Sequence, residues 1–154
     1  MKSSEILILG WREWVVLPEL GLPPIKAKVD TGARTSALHA FALTPFVEND
    51  VRRIRFSIHP RQRNDDVVIC TADVVDQRTV RDSGGHEEER WVIETPMMIG
   101  SHRWMIEATL TSRDDMQFRM LIGRTAIKGR AYVDPSASYL VGKKPRKKRP
   151  KPKA

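Results

Sequence analysis

Asp30, Thr31 and Gly32 place a carboxylate, a hydroxyl and a residue without a side chain in immediate succession, with Ala33 after them. Ile25, Ala27 and Val29 alternate with Lys26 and Lys28 ahead of the acid, a pattern that predicts a strand with one buried face. Gly32 permits a sharp turn and close approach of another backbone. Thr31 can hydrogen-bond across a turn or to a second chain. An acid held by a tight turn at the end of a buried strand has the geometry of a catalytic acid. Asp-Thr-Gly is also an ordinary turn sequence, because Asp and Gly favour turns for local reasons. A second segment argues for chemistry: Met120, Leu121 and Ile122, then Gly123 and Arg124, then Thr125, Ala126 and Ile127. It reads as a short apolar strand, a glycine and a short helix, with Gly123 lying 91 residues after Gly32.

A lone surface carboxylate with a pKa near ~4 is a poor base and no acid at neutral pH. Two carboxylates in contact cannot both ionise, so one keeps a proton while the other can take one from water. The chain holds one Asp-Thr-Gly. Its nearest echo, Asp134 followed by Pro135 and Ser136, lacks the glycine, so Asp134 is expected to be structural. A catalytic pair built on Asp30 therefore requires two chains, and the expected assembly is a two-fold homodimer with Asp30 of each copy at the axis.

Other chemistries find little support. His39, His59, His86 and His102 are scattered and Cys70 is alone. His86-Glu87-Glu88-Glu89-Arg90 lacks the second histidine of a zinc-binding helix. Only a folded site that gathered His39 near Asp30 would reopen the question. No phosphate-cradling glycine loop is present, and Ser83 near His86 lacks a nucleophile elbow. The expectation is no metal and no cofactor. Cys70, on an apolar strand, reads as a core residue. Trp11, Trp14, Trp91 and Trp104 fall in predicted strands and read as core packing rather than as stacking platforms for bases.

The order of Asp30-Thr31-Gly32-Ala33 and Leu121-Ile122-Gly123-Arg124 resembles the retropepsin-like aspartic proteases. In that family an Asp-Thr/Ser-Gly-Ala turn precedes a Gly-rich flap hairpin, then two apolar residues, Gly-Arg and a short helix. More closely, residues 29–40 and 119–139 resemble a bacterial family often labelled "ATP-dependent zinc protease". Its RimB-like members are associated with the glutamate ligase RimK. This closer resemblance covers most of residues 5–142. It implies an all-β, closed or partly closed acid-protease barrel with one short helix after Gly123. It implies a metal-independent aspartic endopeptidase, with Thr31 bonding across the dimer axis and Gly32 leaving room for the substrate backbone. The implied substrate is a glutamate-extended (Glu-rich) protein tail, such as that of a ribosomal protein modified by a RimK-type ligase. The hairpin tip Ser83-Gly84-Gly85-His86 is the candidate flap, with Gly84 and Gly85 against substrate. It begins 53 residues after Asp30, farther than in viral enzymes, so the chain carries an insertion. One position departs from the pattern. Viral members place an acid four residues after the catalytic one, paired with the arginine after the second glycine; here those positions are Arg34 and Arg124. That ion pair cannot form, and Arg34 is expected either to bind acidic substrate or to be solvated or internally paired.

The elements that must position these residues read as nearly all β. Residues 5–17 form a strand pair bent at Gly10, and Pro18, Gly21, Pro23 and Pro24 form a loop. Strands are expected over 25–29, 37–43 and 53–58. Residues 67–75 read as a strand pair or one long strand, continued with a polar face over 76–81, with a hairpin tip at 82–86. Further strands are expected over 90–95, stopped by Pro96, over 97–99 and 103–110, and over 118–122, 131–133 and 139–141. Polar turns are expected at 61–66 and 113–115. Turn signals at such spacing suit a small barrel. The chain has 154 residues, enough for one domain, expected over 1–142. The net charge of +8 lies wholly in residues 143–154, which carry eight cations and no acid. Prolines 145, 150 and 152 exclude regular structure there, so a disordered tail is expected, able to bind RNA, the ribosome or poly-glutamate in a salt-dependent way. The single cysteine, an N-terminal apolar run too short for a signal peptide and the lack of a membrane-length apolar run predict a cytoplasmic protein without membrane contact. The competing function is a non-catalytic β-barrel module that docks on ribosomes or RNA through the tail and keeps Asp30 for turn geometry.

Overall fold

The computed structural model describes residues 6–61, 65–81, 84–112 and 117–143. The expected tail beyond Lys143, the turn at 113–115, Ser83 of the hairpin tip and the middle of the 61–66 turn lie outside the described residues. The chain folds into strands β1 (Leu7–Gly10), β2 (Arg12–Val15), β3 (Ile25–Val29), β4 (Ser36–His39), β5 (Phe41–Glu48) and β6 (Val51–Ile58). They are followed by β7 (Val68–Arg81), β8 (Glu87–Ile99), β9 (His102–Thr111), β10 (Met120–Ile122) and β11 (Ala131–Asp134). A one-turn 3-10 helix spans Pro18–Leu20, and one short α-helix, α1, spans Arg124–Ile127 directly after Gly123. The all-β architecture with one helix at that place holds.

Nine strands form one sheet in the order β2-β3-β10-β4-β9-β8-β7-β6-β5, and β1 pairs in parallel with β11 in a second. The large sheet does not close through a full ladder. It curls enough that Val16, just past the β2 edge, exchanges hydrogen bonds with Met98 of β8 (2.9 and 2.8 Å). Six strands, β2 through β8 in sheet order, therefore form a partly closed barrel. Leu38, Ile93, Met97, Ile99, Met120, Ile122 and Leu110 are fully buried in the core. The alternation read at 25–29 is seen directly: Ile25, Ala27 and Val29 are buried while Lys28 is exposed.

Several local expectations change. Of the two readings of residues 67–81, the single long strand is the one found, with a bulge between Val74 and Asp76. Pro96 does not end its strand; β8 runs through it to Ile99. The N–H of Met98 points at Val16, so the Pro96 nitrogen two residues earlier faces that same side, where pairing to β7 has already ended at Val74↔Ile93. A missing donor costs nothing there. Trp11 sits in the bend between β1 and β2, and only Trp104 is buried in the core; the other three tryptophans are half-buried. Each of the four carries a cation over its ring: Arg12, Lys26, Arg52 and Arg130 on Trp11, Trp14, Trp91 and Trp104 respectively. Cys70 is buried in β7, as read.

The strand expected at 139–141 is absent, and the cause is Glu13. Its carboxylate is fully buried on β2. One oxygen accepts the N–H groups of Gly10 (2.6 Å) and Leu140 (2.9 Å), the other those of Val141 (3.0 Å) and Gly142 (2.7 Å). Three donors that would join a strand ladder are captured by one side chain. Tyr139, with φ +55°, turns the chain into this position. A buried carboxylate is tolerable only when its lone pairs are satisfied, and this one is. Glu13→Gln turns an amide N–H₂ toward two backbone donors. At about 1.5 kcal/mol or more for each hydrogen bond to a charged group, the variant is expected to lose about 3 kcal/mol. Thermal unfolding should show a Tm lower by roughly 6–12 °C.

Candidate active site

β3 delivers Asp30 to the surface beside β10, which runs parallel to it with Ile122 opposite Val29. The Asp30 N–H donates to the Ile122 carbonyl (2.8 Å), extending that ladder by one step into the turn. The turn closes on itself: the Ala33 N–H donates to the Asp30 carbonyl (3.2 Å) and the Gly32 N–H to Asp30 Oδ1 (3.0 Å). A side chain on Gly32 would stand 3.2 Å from that same oxygen. Asp30 is half-buried, while Thr31, Gly32 and Arg34 are exposed in the single chain.

The second segment clamps the turn from the other side. The N–H groups of Arg124 and Thr125, at the start of α1, donate to the carbonyls of Ala33 (2.8 Å) and Arg34 (3.0 Å). Gly123 donates to Ser36 Oγ (3.0 Å) and packs so closely that an added Cβ would stand 2.7 Å from the Ser36 nitrogen. The structure thus brings together Asp30, Thr31, Gly32, Ala33, Leu121, Ile122, Gly123 and Arg124. It does not pair Arg34 with Arg124. The Arg124 guanidinium donates to the Thr31 carbonyl (3.1 Å), and among the described residues neither arginine has an acidic partner. Both are exposed at the rim of the turn.

Ser36 was not singled out by sequence. It is fully buried at the start of β4 and begins a polar chain. Its carbonyl accepts Thr109 Oγ (3.3 Å), Thr109 Oγ accepts Arg90 Nη1 (3.3 Å), and Arg90 Nε pairs with Glu88 (3.0 Å), which also accepts Thr111 Oγ (3.0 Å). Arg90 and Glu88 lie on β8, beyond its last pair with β9 at Val92↔Thr109. From there β8 and β7 continue as a two-stranded arm through the pair Arg81↔Glu87. The arm carries Gly84 and Gly85 at its tip, both exposed, with Gly85 at φ +83°. The only hint of this chain in the sequence is a short run of charges, Glu87 to Arg90, in which one cation would have to face inward. In the single chain the Asp30 carboxylate accepts no hydrogen bond from that tip; among the described residues its donor is Gly32.

The remaining candidates are accounted for. Asp134 accepts both the N–H and the hydroxyl of Ser136 (2.9 and 2.6 Å). Those bonds hold its carboxyl below the usual range and make it the turn residue expected. No cluster of three or more His, Cys, Asp or Glu side chains able to hold a metal is found among the described residues. His39 is buried near Arg119 (3.5 Å), at the far end of β4 from Ser36. Burial pushes the Cys70 thiol up to about 11.

A family model described as "RimB-like: Retropepsin-like aspartic endopeptidase RimB" matches residues 8–144. The chain is 49% identical over 137 residues to a probable alpha-L-glutamate ligase of Parasynechococcus marenigrum, covering 88% of this chain and 29% of that protein. It is 42% identical over 143 residues to a probable alpha-L-glutamate ligase of Shewanella pealeana, covering 92% and 31%. The chain thus spans about three-tenths of the length of these relatives. A crystal structure of a Legionella pneumophila protein of unknown function shares the fold with a TM-score of 0.74. That likeness covers 87% of this chain and 97% of the other at 24% identity.

Two outcomes follow from this geometry. Ser36→Ala leaves the buried Gly123 N–H without its acceptor and should lower stability by about 1–3 kcal/mol in denaturant titration. Cys70 should resist alkylation near pH 8 in the folded protein and react once it unfolds. Its raised pKa favours the folded state while the thiol is neutral. That contribution is complete below the unfolded value near ~8.5 and is lost as pH rises toward about 11.

Proposed function

Because the chain belongs to the RimB-like family of retropepsin-like aspartic endopeptidases, we propose that it hydrolyses peptide bonds with a water activated by two Asp30 carboxylates, one from each subunit of a homodimer. The observation that carries the reading is the clamped Asp30 turn, with its carboxylate fixed by Gly32 and with Thr31 and Gly32 exposed in the single chain. One Asp-Thr-Gly per chain supplies one acid, and apposing two such turns supplies the pair.

In that pair one carboxyl holds the proton that repulsion between like charges prevents both from losing; the aspartic-protease pair is the best-known instance of this effect. The ionised partner takes a proton from water as it attacks the scissile carbonyl. The protonated partner donates a hydrogen bond to the carbonyl oxygen as it gains charge. Neither step calls on a metal or a covalent intermediate. In this reading the β7–β8 arm, carrying Gly84 and Gly85, is the flap that covers substrate.

The substrate we propose is a glutamate-extended polypeptide, as in a ribosomal protein tail lengthened by a glutamate ligase. Two features support it. Relatives at 42–49% identity carry this region within longer proteins named probable alpha-L-glutamate ligase, so a hydrolase and a synthetic activity of opposite direction would share a substrate. Arg34 and Arg124 replace the usual ion pair with two exposed cations at the rim of the Asp30 turn, where carboxylates of such a chain would lie.

Asp30→Asn should retain the fold and lower cleavage of a glutamate-tailed peptide by at least about 10²-fold, with no effect of chelator on the wild type. Adding excess Asp30→Asn chain to wild-type enzyme should poison activity through mixed dimers; activity that stays proportional to wild-type chain would refute the shared pair. Arg34→Ala should raise KM for glutamate-rich substrate and spare a neutral one, and an equal loss on both would remove Arg34 from substrate recognition.

A further inference from the structure

A groove of about 650 Å³ lies away from Asp30, lined by Ser101, His102, Arg103 and Trp104 at the start of β9 and by Lys128 and Arg130 just after α1. That volume is within the roughly 300–1,000 Å³ of ligand clefts. Three fixed cations line it and, among the described residues, no acid does. A second hollow, of about 560 Å³, shares Leu7, Ser101 and His102 with it and ends at Lys143. Lys143 begins the segment that carries eight cations and no acid.

The walls are firmly built. The Trp104 indole N–H donates to the Ala126 carbonyl of α1 (2.8 Å). The Arg130 N–H donates to Ile127 (2.8 Å), and the Arg130 carbonyl accepts the Leu7 N–H (2.8 Å). Gly129, at φ +76°, makes the turn between Lys128 and Arg130. The Arg130 guanidinium lies 5.3 Å from the Trp104 ring centroid. Arg103 lies 3.8 Å from Glu19 in an exposed pair, the kind of contact that another carboxylate can displace at little cost. Residues 124–130 join this groove to the Asp30 turn, since Arg124 at their head donates to Thr31.

We propose that this groove is a docking site for a carboxylate-rich polypeptide, engaging acidic residues of the chain at a distance from the bond cleaved at Asp30. The chemistry favours a peptide over nucleic acid. Single-stranded nucleic acid needs open aromatic faces for its bases, and here the one lining indole is buried and covered by Arg130. Guanidinium forks and an ammonium suit carboxylates. As an aid to cleavage the site rests on the peptidase reading; as a binding site it does not.

The test separates the two. Binding of a labelled oligo-glutamate peptide is measured on the full-length Asp30→Asn chain and on the same chain carrying R103Q/R130Q or, because Arg130 covers Trp104, the exposed Lys128→Gln alone. The pair of charges should cost about 10-fold in affinity and Lys128→Gln about 3-fold, with R103K/R130K restoring most of it. Affinity unchanged within about twofold in both groove variants would assign binding to the lysine-rich segment and overturn the site. So would a single-stranded RNA that binds more tightly and competes the peptide off. Cleavage is then read with Asp30 intact: groove variants should raise KM for a long glutamate tail about 10-fold and leave kcat unchanged. Cleavage with unchanged KM would overturn the site as an aid to cleavage and leave the peptidase. Groove-dependent binding without cleavage by any chain would remove the peptidase and leave the site.

Discussion

Two pieces of chain 91 residues apart meet at Gly123 with no side chain between them. The Gly123 backbone lies against Thr35 and Ser36, and four N–H groups, of Asp30, Gly123, Arg124 and Thr125, bridge the segments. Closing so long a loop costs entropy, which the buried strands β3, β10 and β4 repay by packing. A methyl at Gly123 would push apart backbone rather than a movable side chain, and the Asp30 turn would lose its outer support. The position and orientation of the acid depend on that contact.

Glu13 does for the chain's far end what Gly123 does for the turn. Its four backbone donors tie residues 140–142 to the β1–β2 bend. Gly142 and Gly10 also make close backbone approaches, to Trp14 and to Ala137. A charge so placed demands all its partners at once, because each donor lost leaves buried charge uncompensated. The site and the fold are thus both secured by buried side-chain oxygens that accept backbone N–H groups, four at Glu13 and one, that of Gly123, at Ser36 Oγ.

Cations are used differently inside and out. Arg90 is buried and satisfied by Glu88 and Thr109, and it links the base of the β7–β8 arm to β4 and so to Gly123. Elsewhere cations sit over tryptophan rings, shielding apolar area while keeping charge in water. Arg34, Arg124 and the cations of the groove just after α1 are left at rims, where they give a basic approach to a barrel of balanced net charge. The nineteen cations and nineteen acids of residues 1–142 balance in number, but not in place.

The sequence by itself determined the β period of 25–29, the acid at its end, and the short apolar strand, glycine and helix at 120–127, while the link between the two segments came from the resemblance to a family. These are local facts, written in alternation and in residues with special backbone freedom. It also determined that one chain carries one Asp-Thr-Gly. Tertiary structure alone decided that Pro96 lies mid-strand, since the cost of a missing N–H depends on whether a neighbour needed it. It alone decided that Glu13 is a buried clamp and residues 139–141 are no strand, and that Ser36, Thr109 and Arg90 form one chain of contacts. A carboxylate on an alternating strand looks solvent-facing until the chain's other end arrives with donors for it. Hydrogen-bond partners far apart in sequence have no local signature, because the free energy that selects them comes from burial that exists only once the strands have met.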